Sequence, residues 1–198
     1  MRTGSRTRII NISLELFSET GFANTSVREI AREVGMRESS LYNHFKSKDE
    51  ILAEIIAAYK AYKSENTIVT DELLARLEDP LIFLHQLADK LVRIWNTDYE
   101  KKIFRLVLME QFREINGKKI SAGSLIDDIR SILWMIFDEL IQYRVVKQCN
   151  PQLLTNEFLH PLFFIRLELL TTDENKLSHA LDLTKKHVDF FWESIKVS

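Results

Sequence analysis

Arg37, Glu38, Ser39, Ser40, Asn43 and His44 lie within eight consecutive residues, set around Leu41 and Phe45 at a spacing of i, i+4. Read as a helix over about 37–45, the segment buries Leu41 and Phe45 and leaves guanidinium, carboxylate, hydroxyl, amide and imidazole groups on its other side. Such groups hydrogen-bond base edges in the major groove of DNA. A second chemistry follows directly. In Ser47-Lys48-Asp49-Glu50, Ser47 caps a helix start and Glu50 returns the bond. The free N–H groups at 48–50, with the Lys48 ammonium beside them, make an anion site suited to a DNA phosphate.

These groups need a rigid mount, and the preceding residues supply one. Ser26 and Glu29 form a capping box, and Val27, Ile30, Ala31 and Val34 follow at i, i+3, i+4 and i+7, one apolar stripe that must be buried. Arg28, Arg32 and Glu33 point away from that stripe. Gly35 stands just past the last periodic residue, where a left-handed backbone ends a helix without a Cβ clash. Two short helices, a tight turn and a third helix start describe a helix-turn-helix.

Residues 8–56, above all Leu16-Phe17, Gly21-Phe22, Thr25-Ser26-Val27-Arg28-Glu29-Ile30-Ala31, Gly35, Leu41-Tyr42 and Phe45-Lys46-Ser47-Lys48, resemble the DNA-binding domain of the TetR family of bacterial transcriptional regulators. The resemblance implies that Arg28 contacts phosphate or a base, that residues 37–44 enter the major groove, that Tyr42 and His44 hold phosphates, and that Lys48 clamps the backbone from the fourth helix. The DNA-facing set is then Ser26, Arg28, Arg37, Glu38, Ser39, Ser40, Tyr42, Asn43, His44 and Lys48. Two positions depart from the family pattern. Arg37 stands where a capping Ser or Thr is frequent and cannot accept a hydrogen bond, so the cap comes from elsewhere or the helix begins at Ser39. Glu38 stands where a basic or neutral polar residue is common. It either accepts from a cytosine N4 amino group while Arg37 donates to a guanine, or forms a surface ion pair with Arg37 or Arg28.

The composition suits an all-α chain. With 45% apolar residues in 198 there is material for a real core, while five Gly and three Pro are too few for a turn-rich β fold. The net charge of −2 carries no nucleic-acid signal, but residues 1–50 hold eight basic against seven acidic groups and residues 51–198 nineteen against twenty-two. Arg2, Arg6 and Arg8 precede the first acid, Glu15, and form a basic arm that can lie along phosphates or in a minor groove, or else a frayed terminus. Cys149 is the only cysteine, which excludes an intrachain disulfide and a Cys-type zinc site. No apolar run approaches the roughly 18 residues of a membrane span, and the start lacks a signal-peptide pattern. A cytoplasmic protein is expected.

Beyond residue 50 the pattern is helical throughout. Ile51, Leu52, Ile55, Ile56 and Tyr59 extend the fourth helix to about 64, bridging a DNA-binding domain over 1–50 to an effector-binding and dimerisation domain over 51–198. Further helices are expected at 81–96, after Asp79-Pro80, at 99–115, ending at Asn116-Gly117, and at 124–147, the longest, where Ile132–Phe137 is apolar nearly all round and belongs inside a bundle. Asn150-Pro151 opens a helix to about 170 that Pro161 should kink, and Thr171-Thr172-Asp173-Glu174 opens a last one over 174–196.

The TetR resemblance implies that the last two helices pair with a second copy, through Leu159, Leu162, Phe163, Ile165, Leu169, Leu181, Val188, Phe191 and Ile195 or a subset of them, unless these are intrachain core. It also implies a pocket for a small, apolar effector, with Phe83, Leu87, Trp95, Phe104, Leu108, Phe112, Trp134, Phe137 and Phe164 as candidate lining and Tyr59, His85 and Gln111 as polar handles. No cofactor, metal or catalytic set is expected. The five histidines form no His-x-x-x-His pair, and no phosphate loop or nucleophile elbow is present. The expectation is a homodimeric repressor of a palindromic operator, released by a small molecule. The alternative is a DNA-bound adaptor or architectural protein whose C-terminal domain binds a protein.

Overall fold

A computed structural model of the chain describes residues 2–115, 117–171 and 176–197. These residues form ten α-helices, two short 3-10 turns and one two-residue β-hairpin, in two compact units. The first comprises residues up to Asn66 together with Lys102–Ser124, and the second Thr67–Lys101 with Leu125 onward.

In the first unit α1 (Arg2–Thr20) packs against α2 (Val27–Val34) and α4 (Lys48–Glu65), and α2 against α3 (Glu38–Tyr42). Ile9, Phe17, Ile30, Ala31, Val34, Leu41, Phe45, Ile51, Leu52 and Ile55 are among its buried apolar side chains. The boundary expected at residue 50 falls in the first turn of α4, whose Ile51, Leu52 and Ile55 are fully buried, so this unit runs on to Asn66. Residues 2–8, read from the sequence as a possible arm, are the first turns of α1.

Gly35 adopts φ 76°, and its N–H and that of Met36 close the last turn of α2 onto Ala31 and Arg32, the left-handed stop expected of a glycine there. α3 starts at Glu38, with Arg37 in the capping position and no side-chain cap, so the start at Ser39 is not adopted. α7 (Asp98–Glu110), at whose Lys101–Lys102 bond the two units divide, stops five residues before its expected end. Phe112 turns left-handed (φ 81°) and the chain returns as a hairpin, Glu114–Ile115 (β1) pairing with Lys118–Lys119 (β2). The expected stop at Asn116 lies outside the described residues.

The second unit holds α5 (Asp71–Leu74), α6 (Pro80–Trp95), α8 (Asp127–Gln142), α9 (Pro151–Glu168) and α10 (Lys176–Ile195). Asp79 caps α6 by accepting from the Ile82 N–H, and Asn150 caps α9 by accepting from the Gln152 N–H, each followed by proline in the first turn. α9 runs continuously through Pro161. α10 packs on α6 and α9, and α8 on α9, around Phe83, Leu87, Leu91, Leu133, Phe137, Phe158, Leu162 and Val188.

Two expectations about α8 do not hold. It is shorter than α1, α4, α9 and α10, because the backbone leaves the helix at Tyr143 and Arg144 turns left-handed. Nor is it apolar all round in its burial: Leu133, Ile136 and Phe137 face inward while Trp134 and Met135 are 42% and 52% exposed. Thr172–Glu174, expected to open α10, lie outside the described residues.

Candidate nucleic-acid interface

The reading face is built on two anchors. Leu41 and Phe45 are buried at about 1% exposure, which turns Arg37, Glu38, Ser39, Tyr42 and Asn43 outward and leaves Ser40 and His44 half-buried. Among the described residues the side chains of Arg37, Glu38, Ser39, Ser40, Tyr42, Asn43 and Arg28 make no hydrogen bond or ion pair, so neither the Glu38–Arg37 nor the Glu38–Arg28 pair forms. Their donors and acceptors are open to a ligand.

Two helix starts border this face. Ser26 accepts from the Glu29 N–H at 3.1 Å and Ser47 from the Glu50 N–H at 3.1 Å, so both caps form as the spacing predicts. Glu50 returns its bond one residue early, accepting from the Lys46 N–H at 2.6 Å. Arg28 is exposed in the first turn of α2.

Two cations assigned to DNA from the sequence are also used within the fold. Arg6 donates to the His44 carbonyl at 2.8 Å, pairs with Glu54 at 3.3 Å and lies 4.2 Å from the Phe45 ring centroid. It therefore braces the segment following α3 instead of extending as an arm. Lys48 donates to the carbonyls of Phe22 (2.5 Å) and Thr25 (2.7 Å), and its ammonium stands 4.3 Å from the Phe22 ring centroid. Desolvation lowers its pKa, the nearby Arg113 adding to the effect against the opposing carboxylates of Asp49 and Glu110. Two of its three donors are thus occupied before any phosphate arrives.

The residues that complete this arrangement carry no signal in the sequence. Glu110, at the end of α7, accepts from the Phe22 N–H at 3.1 Å and from Arg113 Nε at 2.6 Å, while the Arg113 guanidinium lies 4.4 Å from the Phe22 ring centroid. Eighty-eight residues separate Phe22 from Glu110, beyond the reach of any local spacing rule.

The expected effector lining is dispersed. Tyr59, Phe104, Leu108 and Phe112 belong to the first unit, and Phe83, Leu87, Trp95, Trp134, Phe137 and Phe164 to the second. Tyr59, Phe83, Leu87, Trp95, Phe104 and Phe137 are buried, Phe137 edge-on to Phe158 and Phe191 as ordinary core. Phe112, Trp134 and Phe164 are instead 79%, 42% and 63% exposed, because the hairpin turn and the outer faces of α8 and α9 carry them outward. Of the polar handles, Gln111 is exposed and His85 hydrogen-bonds Asp189 at 2.8 Å. Inside the second unit a buried ion pair appears that the sequence did not suggest: Arg166 Nη2 donates to Glu100 at 2.7 Å, with the guanidinium 5.1 Å from the Trp95 ring centroid. No cluster of three or more His, Cys, Asp or Glu capable of holding a metal occurs among the described residues, and no described helix is long and apolar enough to cross a membrane.

A family profile described as bacterial regulatory proteins, tetR family, matches residues 9–55, the segment that holds α2, α3 and both caps. The match makes residues 9–55 similar to the DNA-binding domain of that family. A curated relative, the HTH-type transcriptional repressor KstR2 of Rhodococcus jostii, is 40% identical over 58 residues, 29% of this chain and 28% of the repressor. The chain thus aligns with little more than a quarter of that relative's length. Across the whole chain the TetR likeness is one of fold. A crystal structure of a putative TetR-family regulator from Mesorhizobium loti superposes with a TM-score of 0.70 at 18% identity, covering 100% of this chain and 99% of that one. A putative regulator from Saccharomonospora viridis, solved in complex with choline, gives 0.67 at 18% identity, covering 99% and 100%.

Proposed function

We propose that the chain is a homodimeric, DNA-binding transcriptional regulator, a repressor that leaves a palindromic operator when its C-terminal domain binds a small molecule. The carrying observation is the set of outward side chains on and around α3 with no partner among the described residues, held on a buried Leu41–Phe45 anchor. α3 enters the major groove, where Arg37 and Asn43 read bases and Glu38 accepts from a cytosine amino group. Ser26, Arg28, Tyr42 and His44 fix the register on phosphates, and the third donor of Lys48 adds to them. The domains divide the work, with DNA reading in the N-terminal unit and effector binding and dimerisation in the remaining helices.

A single five-residue reader covers few base pairs, so a second copy is needed for useful specificity, with half-sites roughly one turn (~34–36 Å) or a multiple apart. Of the residues expected at the dimer face, Leu159, Leu162, Ile165, Leu169, Val188, Phe191 and Ile195 are buried in the chain's own core. The outward stripes of the same helices carry Leu153 and Phe164 on α9 and Phe190 on α10, at 50%, 63% and 77% exposure, and we assign the pairing face to them. The similarity to the HTH-type transcriptional repressor KstR2 supports the repressor reading, and the choline complex of a protein sharing this fold supports a small-molecule effector. Trp134 and Met135, exposed on α8, favour as a second reading an adaptor that binds a protein there.

Selection from random DNA fragments tests the proposal. A palindromic consensus should emerge, its recovery lost with Arg28→Ala and its base preference altered with Asn43→Ala. Repeating the selection with metabolite extracts should show release. Recovery of no sequence above background overturns the DNA-binding reading.

A further inference from the structure

The backbone at Phe22 is held from two directions, and the holder on one side comes from α7 instead of from the helix-turn-helix. Phe22 N–H donates to Glu110 at 3.1 Å, and Phe22 C=O accepts from Lys48 at 2.5 Å. Phe22 is 5% exposed and its ring packs 5.2 Å from that of Phe17 on α1. Gly21, with φ 86°, starts this turn, and a Cβ there would stand 3.1 Å from Met109 Cε, so α7 also approaches the backbone closely. Four residues after Phe22 the chain reaches Ser26, the cap of α2, and then Arg28.

We propose that Glu110 is a positioning residue for DNA binding: by holding the Phe22 N–H while Lys48 holds the Phe22 carbonyl, it sets where the start of α2 and the start of α4 meet the phosphate backbone. Three features carry this. The acceptor is a buried carboxylate, so its bond to an N–H is charge-assisted and geometrically demanding. Arg113 pairs with the same carboxylate at 2.6 Å and lies against the same ring, which fixes the rotamer of Glu110. Lys48, drawn onto the Phe22 and Thr25 carbonyls, belongs to the first turn of α4, so the backbone flanking Phe22 ties the entrances of both helices. Without Glu110, the Phe22 N–H loses its acceptor in a buried setting and the turn has reason to reorganise.

The inference rests on the DNA-binding reading, and the experiment separates the two. Wild type, Glu110→Ala, Glu110→Gln and Arg28→Ala are compared on a duplex recovered by selection from random fragments and on an unrelated duplex, with backbone amide exchange followed at Phe22. A Gln side chain keeps an oxygen for the Phe22 N–H, so Glu110→Gln should bind the selected duplex within a few-fold of wild type while Glu110→Ala falls by about tenfold or more, the equivalent of one lost buried hydrogen bond. Phe22 exchange should accelerate in Glu110→Ala and stay slow in Arg28→Ala, although Arg28→Ala also loses DNA. Faster Phe22 exchange with unchanged DNA affinity would make Glu110 a stability residue only and overturn the proposal. So would equal losses in the Ala and Gln variants. If Glu110→Ala does not fold, Glu110→Gln and Glu110→Asp decide: slowed binding that tracks the loss of Phe22 protection supports it, and binding independent of that protection refutes it. A wild-type chain that binds no duplex fails the underlying reading, whatever Phe22 exchange shows.

Discussion

Lys48 shows how a charged residue can be assigned to a ligand by its position and still be used first by its own chain. Its ammonium satisfies two loop carbonyls and faces an aromatic ring, so its removal takes away intrachain contacts as well as the proposed phosphate contact. Lys48→Ala should therefore lower the stability of the chain by about 1–2 kcal/mol, seen as a lower urea midpoint, in addition to weakening DNA binding. Arg28→Ala should weaken DNA binding on all sequences and reduce the salt slope by about 1 without moving that midpoint, since Arg28 is exposed and forms no described contact. The buried Arg166–Glu100 pair makes the opposite case, a charge pair enclosed within the second unit. Arg166→Ala should cost about 3–5 kcal/mol because it takes the guanidinium from a buried carboxylate, and replacing both members with apolar residues of similar volume should recover most of the loss. Denaturant titration of the single and double variants checks both values.

At the level of elements, α2 and the turn after it were legible because their signals are local. A serine cap, a four-residue apolar stripe and a glycine stop all sit within ten residues, and the structure places them where the spacing does. Gly35→Ala tests the last of these: with no atom closer than 4.0 Å to its added Cβ, the cost is conformational alone and should be about 1–2 kcal/mol, with Gly35→Asn milder. The end of α7 and both ends of α8 were not legible. Apolar residues continue past Glu110 and past Gln142, so periodicity extends each helix, whereas the chain leaves it through left-handed residues, Phe112 and Arg144, whose types do not announce such a turn. The reading face was half legible in the same sense. The outward residues of α3 follow from the Leu41–Phe45 anchors, but the braces Arg6, Glu110 and Arg113 depend on contacts 38 to 91 residues apart that no window spans.

For the whole molecule, the proposed pairing through Leu153, Phe164 and Phe190 has a direct consequence for affinity. Phe164→Glu or Phe190→Glu should yield monomers by sedimentation that keep their helical content, because both side chains lie outside the core, and operator affinity should fall steeply while contacts per half-site are unchanged. Substituting the buried Leu162 should instead lower stability before it affects assembly. The short α3 has a last implication of its own. Its five residues span about 7.5 Å of helix, and its outward side chains are bound to nothing else in the described chain, whereas Leu41, Phe45 and the Arg6 brace lie behind them. If that surface reads DNA as proposed, it is a small interchangeable cassette. Exchanging residues 37–40 and 43 should re-address the protein to a different target while its folding carries over intact.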